Sequence, residues 1–171
     1  KGLIAYADVI KRIQPYQVNF LTLNYWDDNK TFEPIDNYSA LTDNIKKCID
    51  LIVDHTTYIN VRYTPYCFMK GYEKYVCNQY QHIYDVYDWN KEIYDYDVDL
   101  SKTYTHNEKI ELGYIKAKHD RLKDYKKPIE CLKCKYFYIC DGIENQLDMK
   151  VYPEKGKKIK DVNYYRKNFY K

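Results

Sequence analysis

Apolar residues recur at helical spacing near the start of the chain, where Leu3, Ile4, Ala7, Ile10 and Ile13 share roughly one face and Pro15 closes the run. This predicts a short amphipathic helix from Leu3 to Ile13. Val18 to Leu23 is a short run of apolar, β-branched and aromatic residues, and it predicts a buried strand. Helical spacing returns from Ser39 with Leu41, Ile45, Cys48, Ile49 and Ile52, with Thr42 or Ser39 as the expected cap. A second strand is predicted from Thr57 to Thr64. The order helix, strand, helix, strand, with crossovers of this length, argues for parallel strands in an α/β sheet or barrel. Two parallel strands cannot bury both faces, and a full eight-stranded barrel needs about 250 residues. Further strands are therefore expected upstream of Lys1, in a longer protein.

Beyond Pro65 the texture changes to an aromatic-rich stretch, from Tyr66 to Trp89, with a helix predicted from about Tyr72 to Ile83. The acidic residues Asp85, Asp88, Glu92, Asp95, Asp97 and Asp99 lack the spacing of a calcium loop and read as a solvated loop. Glu108 to Tyr125 predicts an exposed helix. Its basic end, Lys116, Lys118, Arg121, Lys123, Lys126 and Lys127, suits the helix dipole and reads as solvated.

Composition narrows the class. In 171 residues, 28 Lys and Arg stand against 25 Asp and Glu, a net charge of +3, so no nucleic-acid partner is expected. The 23 tyrosines supply ring area for a core despite the low mean hydropathy of −0.77. No run of about 18 apolar residues exists to span a membrane. The six cysteines come without secretory features, so free thiols and a reducing, cytoplasmic setting are expected.

Their spacing carries the chemistry. Cys131, Cys134 and Cys140 form a C-x2-C-x5-C run just after Pro128. A C-x2-C turn can direct two sulfurs at one metal, and a third sulfur can close another side of a tetrahedral or cubane site. A fourth ligand is needed and no cysteine follows Cys140, so Cys67 and Cys77 are the candidates. Cys48 lies in an apolar helical stripe and reads as a small core residue. A thioredoxin-like pair at Cys131 and Cys134 is disfavoured, because no strand clearly precedes it. The histidines, His55, His82, His106 and His119, show no ligand spacing. Thiolates alone do not separate zinc from iron–sulfur.

Four stretches, taken together, resemble the C-terminal half of a radical SAM enzyme: Val18 to Asn24, Ile59 to Met69, Tyr84 to Trp89, and the three-cysteine run followed by Asp141-Gly142. The last run is similar to the start of a SPASM or twitch extension. The resemblance implies the C-terminal part of a partial (β/α)6 barrel over residues 1–66, with parallel strands and crossover helices. An α-rich, loop-rich, cysteine-containing extension would follow over 67–171. It further implies one auxiliary [4Fe–4S] cluster on Cys131, Cys134 and Cys140 with Cys67 or Cys77, since Glu144 stands where the full SPASM pattern has its next cysteine.

The C-x3-C-x2-C motif of the SAM-cleaving cluster is absent from the sequence. The resemblance places that motif, a second [4Fe–4S] cluster and SAM in the full-length parent, supplied by an electron donor and acting on a peptide or small molecule. This fragment alone is then expected to be inactive. Asn60, Arg62 and Thr64 share one strand face, where Arg62 could hold a carboxylate of SAM or substrate through its planar fork, or else form an ordinary ion pair with a neighbouring acidic residue. Asn60 and, more weakly, Asn24 at the end of the earlier strand are further cofactor-binding candidates. The competing class is a non-enzymatic Zn2+ module that uses the same cysteines to staple an interaction domain.

Overall fold

The computed structural model describes residues 2–22, 37–78, 123–161 and 164–166. Helix α1 (Gly2–Ile13) leads into strand β1 (Gln17–Leu21), helix α2 (Tyr38–Ile52) and strand β2 (Tyr58–Arg62). The predicted element order and the parallel pairing are both observed, with Gln17 opposite Tyr58 and Leu21 opposite Arg62. α2 starts one residue earlier than the spacing suggested. Its cap is Asn37, not Ser39 or Thr42: Asn37 has non-helical backbone, and its Oδ1 accepts from the Ala40 amide at 2.8 Å. Thr42 lies inside the helix and donates back to the carbonyls of Tyr38 and Ser39.

Residues two apart on a strand share a face, and the parallel register sorts this sheet into an apolar and a polar side. Val18 and Phe20 of β1 align with Ile59 and Val61 of β2. These four pack against Ala7 of α1 and Ile45, Cys48, Ile49 and Ile52 of α2, forming the principal core. On the opposite face Asn19 aligns with Asn60 and Leu21 with Arg62.

The expectation of only two strands needs correction, as does the helix predicted from Tyr72 to Ile83. Its described part is a 3-10 turn (Glu73–Tyr75) followed by strand β3 (Val76–Cys77), which pairs parallel to β2, Val76 beside Val61 and Cys77 beside Arg62. Burial of Val76 against Val61 gains more here than continuing a helix past Tyr75. The sheet is thus three-stranded in the order β1-β2-β3, and among the described residues it closes into no barrel. Strands β4 (Tyr125–Lys126) and β5 (Ile143–Glu144) form a separate antiparallel pair. Tyr125 is therefore extended rather than helical. Residues 108–122 of the predicted helix lie outside the described residues, as do Asn24, the acidic stretch, Tyr84 to Trp89 and three of the four histidines. No described helix is long and apolar enough to cross a membrane.

Candidate metal centre

The three-cysteine run is a chain of tight turns. A 3-10 segment spans Ile129–Lys133, the Cys131 amide donates to the Pro128 carbonyl, and the Cys134 amide donates to the Cys131 carbonyl at 2.9 Å. Two further turns follow, from Phe137 N–H to the Cys134 carbonyl and from Cys140 N–H to the Tyr136 carbonyl. The run is anchored on its far side by the strand-like contact of Cys134 with Lys155 and by Lys135 N–H to the Glu154 carbonyl.

One ring stack joins this run to the sheet. After β2 the chain turns at Pro65 into a 3-10 segment, Tyr66–Phe68, which places Tyr66 against Tyr136 with centroids 4.9 Å apart and planes 18° from parallel. Both rings are almost wholly buried. Tyr136 Oη lies 3.1 Å from Glu73 Oε1 and 3.0 Å from Glu154 Oε2, so the phenol's polar end is met by carboxylates from both segments. Cys67, next in sequence to Tyr66, is thereby brought to the three-cysteine run.

Cys67, Cys131, Cys134 and Cys140 all line one small cavity of about 20 Å³, whose other walls include Tyr66, Tyr136, Ile143 and Val151. Cys77 does not line it; that thiol is buried in β3, on the polar face of the sheet. Among the described residues no group of three or more His, Cys, Asp or Glu side chains is arranged to hold a metal ion. The four cysteines share a cavity without forming a finished coordination sphere. The donor set still fits a thiolate-held centre in kind: four sulfurs from two distant segments, with apolar walls between them. Backbone amides also serve two of the sulfurs, that of Tyr152 donating to Cys67 and those of Tyr66 and Gly142 to Cys140. Such amide donors stabilise bound thiolate and tune a cluster's potential.

Without a metal the cavity favours thiols over thiolates. Burial pushes Cys67 from 9.0 up to about 11 and Cys140 up to about 12, each partly opposed by its backbone amides. Burial also raises Cys131. Both folded values lie above the unfolded one, so the metal-free fold keeps this contribution below pH 9 and loses it as pH rises towards about 11 and 12. In metal-free protein, alkylation of Cys67 and Cys140, followed by peptide mass spectrometry, is expected to lag behind an unfolded control until that range. Control-like rates at neutral pH would contradict the buried, protonated state.

Lys127 stands at the same wall. Its Nζ donates to the Phe137 carbonyl at 2.7 Å and sits 4.9 Å from the centre of the Phe137 ring. Burial lowers its pKa, while Cys140, Asp141, Cys131 and Cys134 act to raise it. The reading of Lys126 and Lys127 as a solvated helix end is therefore corrected: Lys126 belongs to β4, and Lys127 is half-buried beside the thiols. Its signal in the sequence was only proximity to Cys131. Gly142, which the sequence offered only in the Asp141-Gly142 pair following the cysteine run, is also tied to the site through its amide.

The candidates on the strand sit elsewhere on the sheet. Asn60, Arg62 and Thr64 are 0%, 3% and 0% exposed. Asn60 Nδ2 donates to Asn19 Oδ1 at 2.8 Å, and Arg166 donates to Asn60 Oδ1, so both ends of this amide are engaged within the chain. Arg62 lies over the Tyr63 ring at 5.1 Å. Tyr63 adopts a left-handed φ of 59°, which ends β2 and throws Thr64 back to donate to the Arg62 carbonyl. Thr22 and Tyr38 also donate to the Tyr63 carbonyl. Burial drives Tyr38 up to about 12, with the Thr22 and Thr64 hydroxyls pulling it back. The carboxyl end of the sheet is thus a buried polar network, at the place where open parallel sheets bind ligands.

Comparison of the chain with protein-family models, with curated proteins and with solved structures returned no match.

Proposed function

We propose that Cys67, Cys131, Cys134 and Cys140 hold an auxiliary [4Fe–4S] cluster in the C-terminal part of a radical SAM enzyme. The observation that carries this reading is the gathering of those four thiols, from two segments far apart in sequence, around one apolar cavity with amide donors to two of the sulfurs. The parallel α-β-α-β order and the polar carboxyl end of its sheet support the partial-barrel part of the reading. When bound, such a fully ligated cluster would supply electron transfer. The chain's own residues would position the sulfurs by the 3-10 turns, exclude water with Tyr66, Tyr136 and Val151, and lower the cost of thiolate through the backbone amides. Arg62 would face a carboxylate of SAM or substrate in the parent enzyme. The parent's substrate, a peptide or small molecule, and its electron donor are met outside these residues.

One observation favours a second reading. The cavity's volume of about 20 Å³ matches a single ion better than a four-iron core, which suits Zn2+ on four thiolates in an interaction module. Anaerobic purification separates the two. A cluster gives brown protein with iron and acid-labile sulfide in equal amounts, bleaching on reduction; stoichiometric zinc in colourless protein, resistant to iron and sulfide reconstitution, would reject the cluster.

A further inference from the structure

We infer that Lys127 is the charge-compensating residue of the thiol centre, its side chain lining the cavity and its ammonium anchored on Phe137, so as to offset the negative charge that the sulfurs carry when a metal core is bound. The inference rests on the metal-centre reading and adds to it a residue outside the ligand set. Four thiolates around a divalent core, whether one zinc or an oxidised four-iron core, leave a net charge of two negatives. In an apolar cavity that charge is costly unless a cation stands near. Among the described residues lining the cavity, Lys127 bears the one cationic side chain. Asp141, buried next to Cys140, adds a further negative group and sharpens the need.

The anchoring of Lys127 is what distinguishes it from the surface lysines around it. Its Nζ is held by the Phe137 carbonyl at 2.7 Å and by the Phe137 ring, and Phe137 itself lies between Cys134 and Cys140. Lys158 approaches the same ring at 4.6 Å but does not reach the cavity wall. Reduction of an iron–sulfur core adds one negative charge, so a fixed cation stabilises the reduced state more than the oxidised one and raises the potential.

The test uses the full chain, reconstituted anaerobically with iron and sulfide, in wild-type, K127Q and K127R forms. K127Q keeps a donor for the Phe137 carbonyl but loses the charge; K127R keeps the charge. In a spectroelectrochemical titration K127Q should hold about tenfold less reduced cluster than wild type at a fixed potential, a shift of about 59 mV for a one-electron couple. K127R should stay near wild type. If K127Q loads normally and titrates with wild type, Lys127 has no compensating role. Should wild type build no cluster, Co2+ serves as the probe, with K127Q binding about tenfold more weakly and K127R restoring affinity; equal Co2+ affinity in all three again overturns the role. Wild-type protein that takes up neither iron and sulfide nor Co2+ overturns the metal-centre reading itself. K127M replaces K127Q if the latter does not fold by circular dichroism.

Discussion

Cys67→Ala is expected to empty the centre, with bound metal falling to background after gel filtration, whereas Cys77→Ala should retain it. The two thiols were equal candidates for the fourth ligand by sequence, and the fold separates them. Cys67 follows Tyr66, whose ring is stacked on Tyr136, so its sulfur is carried to the cavity of Cys131, Cys134 and Cys140. Cys77 is paired to Arg62 across the sheet and belongs to the polar face below Asn60. Loss of partners that only orient a ligand costs about 10–100-fold in metal affinity, so removing a ligand outright should exceed the upper figure. Cys67→Ala also removes the one sulfur contributed by the sheet side, leaving three thiolates on a single run of turns. Cys48→Ala is the control for generic core damage: its thiol packs between the two helices and donates weakly to the Leu3 carbonyl at 3.7 Å. Iron or zinc assays, normalised to protein, read all three variants. Retention in Cys67→Ala together with loss in Cys77→Ala would reverse the proposed ligand set.

The elements governed by periodicity were legible before the structure. The spacing of Ile45, Ile49 and Ile52 fixes the buried face of α2, and the alternation in β2 places Ile59 and Val61 against it, because burial of one face is a local property of the pattern. Elements too short to repeat their period were not legible. β3 has two residues, and only the long-range partner Val61 tells Val76 to extend. The cap at Asn37 was missed because Ser39 and Thr42 offer the same chemistry two and five positions later, and backbone conformation, not residue type, decides among them. The site shows the same division. Three sulfurs could be grouped from their spacing in one run. The fourth depended on a ring stack between residues seventy positions apart in sequence, Tyr66 and Tyr136, and no local pattern encodes that choice. Lys127 looked like any charge at a helix end until β4 and β5 turned it towards the thiols.

Gly142→Ala should disable the centre without touching a sulfur. Gly142 has φ of +102°, a conformation that side chains rarely adopt, and a Cβ built there would stand 2.2 Å from the Lys126 carbonyl oxygen and 2.9 Å from its carbon. Both atoms are backbone, held in β4 by pairing with β5, so no side chain can swing aside to relieve the contact. The backbone strain costs about 1–3 kcal/mol, and overpacking of this kind adds about 1–3 kcal/mol, so the loss should be read as several kcal/mol in denaturant unfolding. Relief requires β4 to part from β5. That movement would displace Lys127 at the end of β4 and withdraw the Gly142 amide from Cys140, so metal content should fall although all six thiols still react after denaturation. Gly71→Ala separates the two costs, since Gly71 has φ of +82° but nothing within 4 Å of the added methyl. It should lose only the strain contribution and keep its metal. Equal unfolding midpoints and equal metal content for the two alanine variants would mean that the approach of Gly142 to β4 does not hold the centre together.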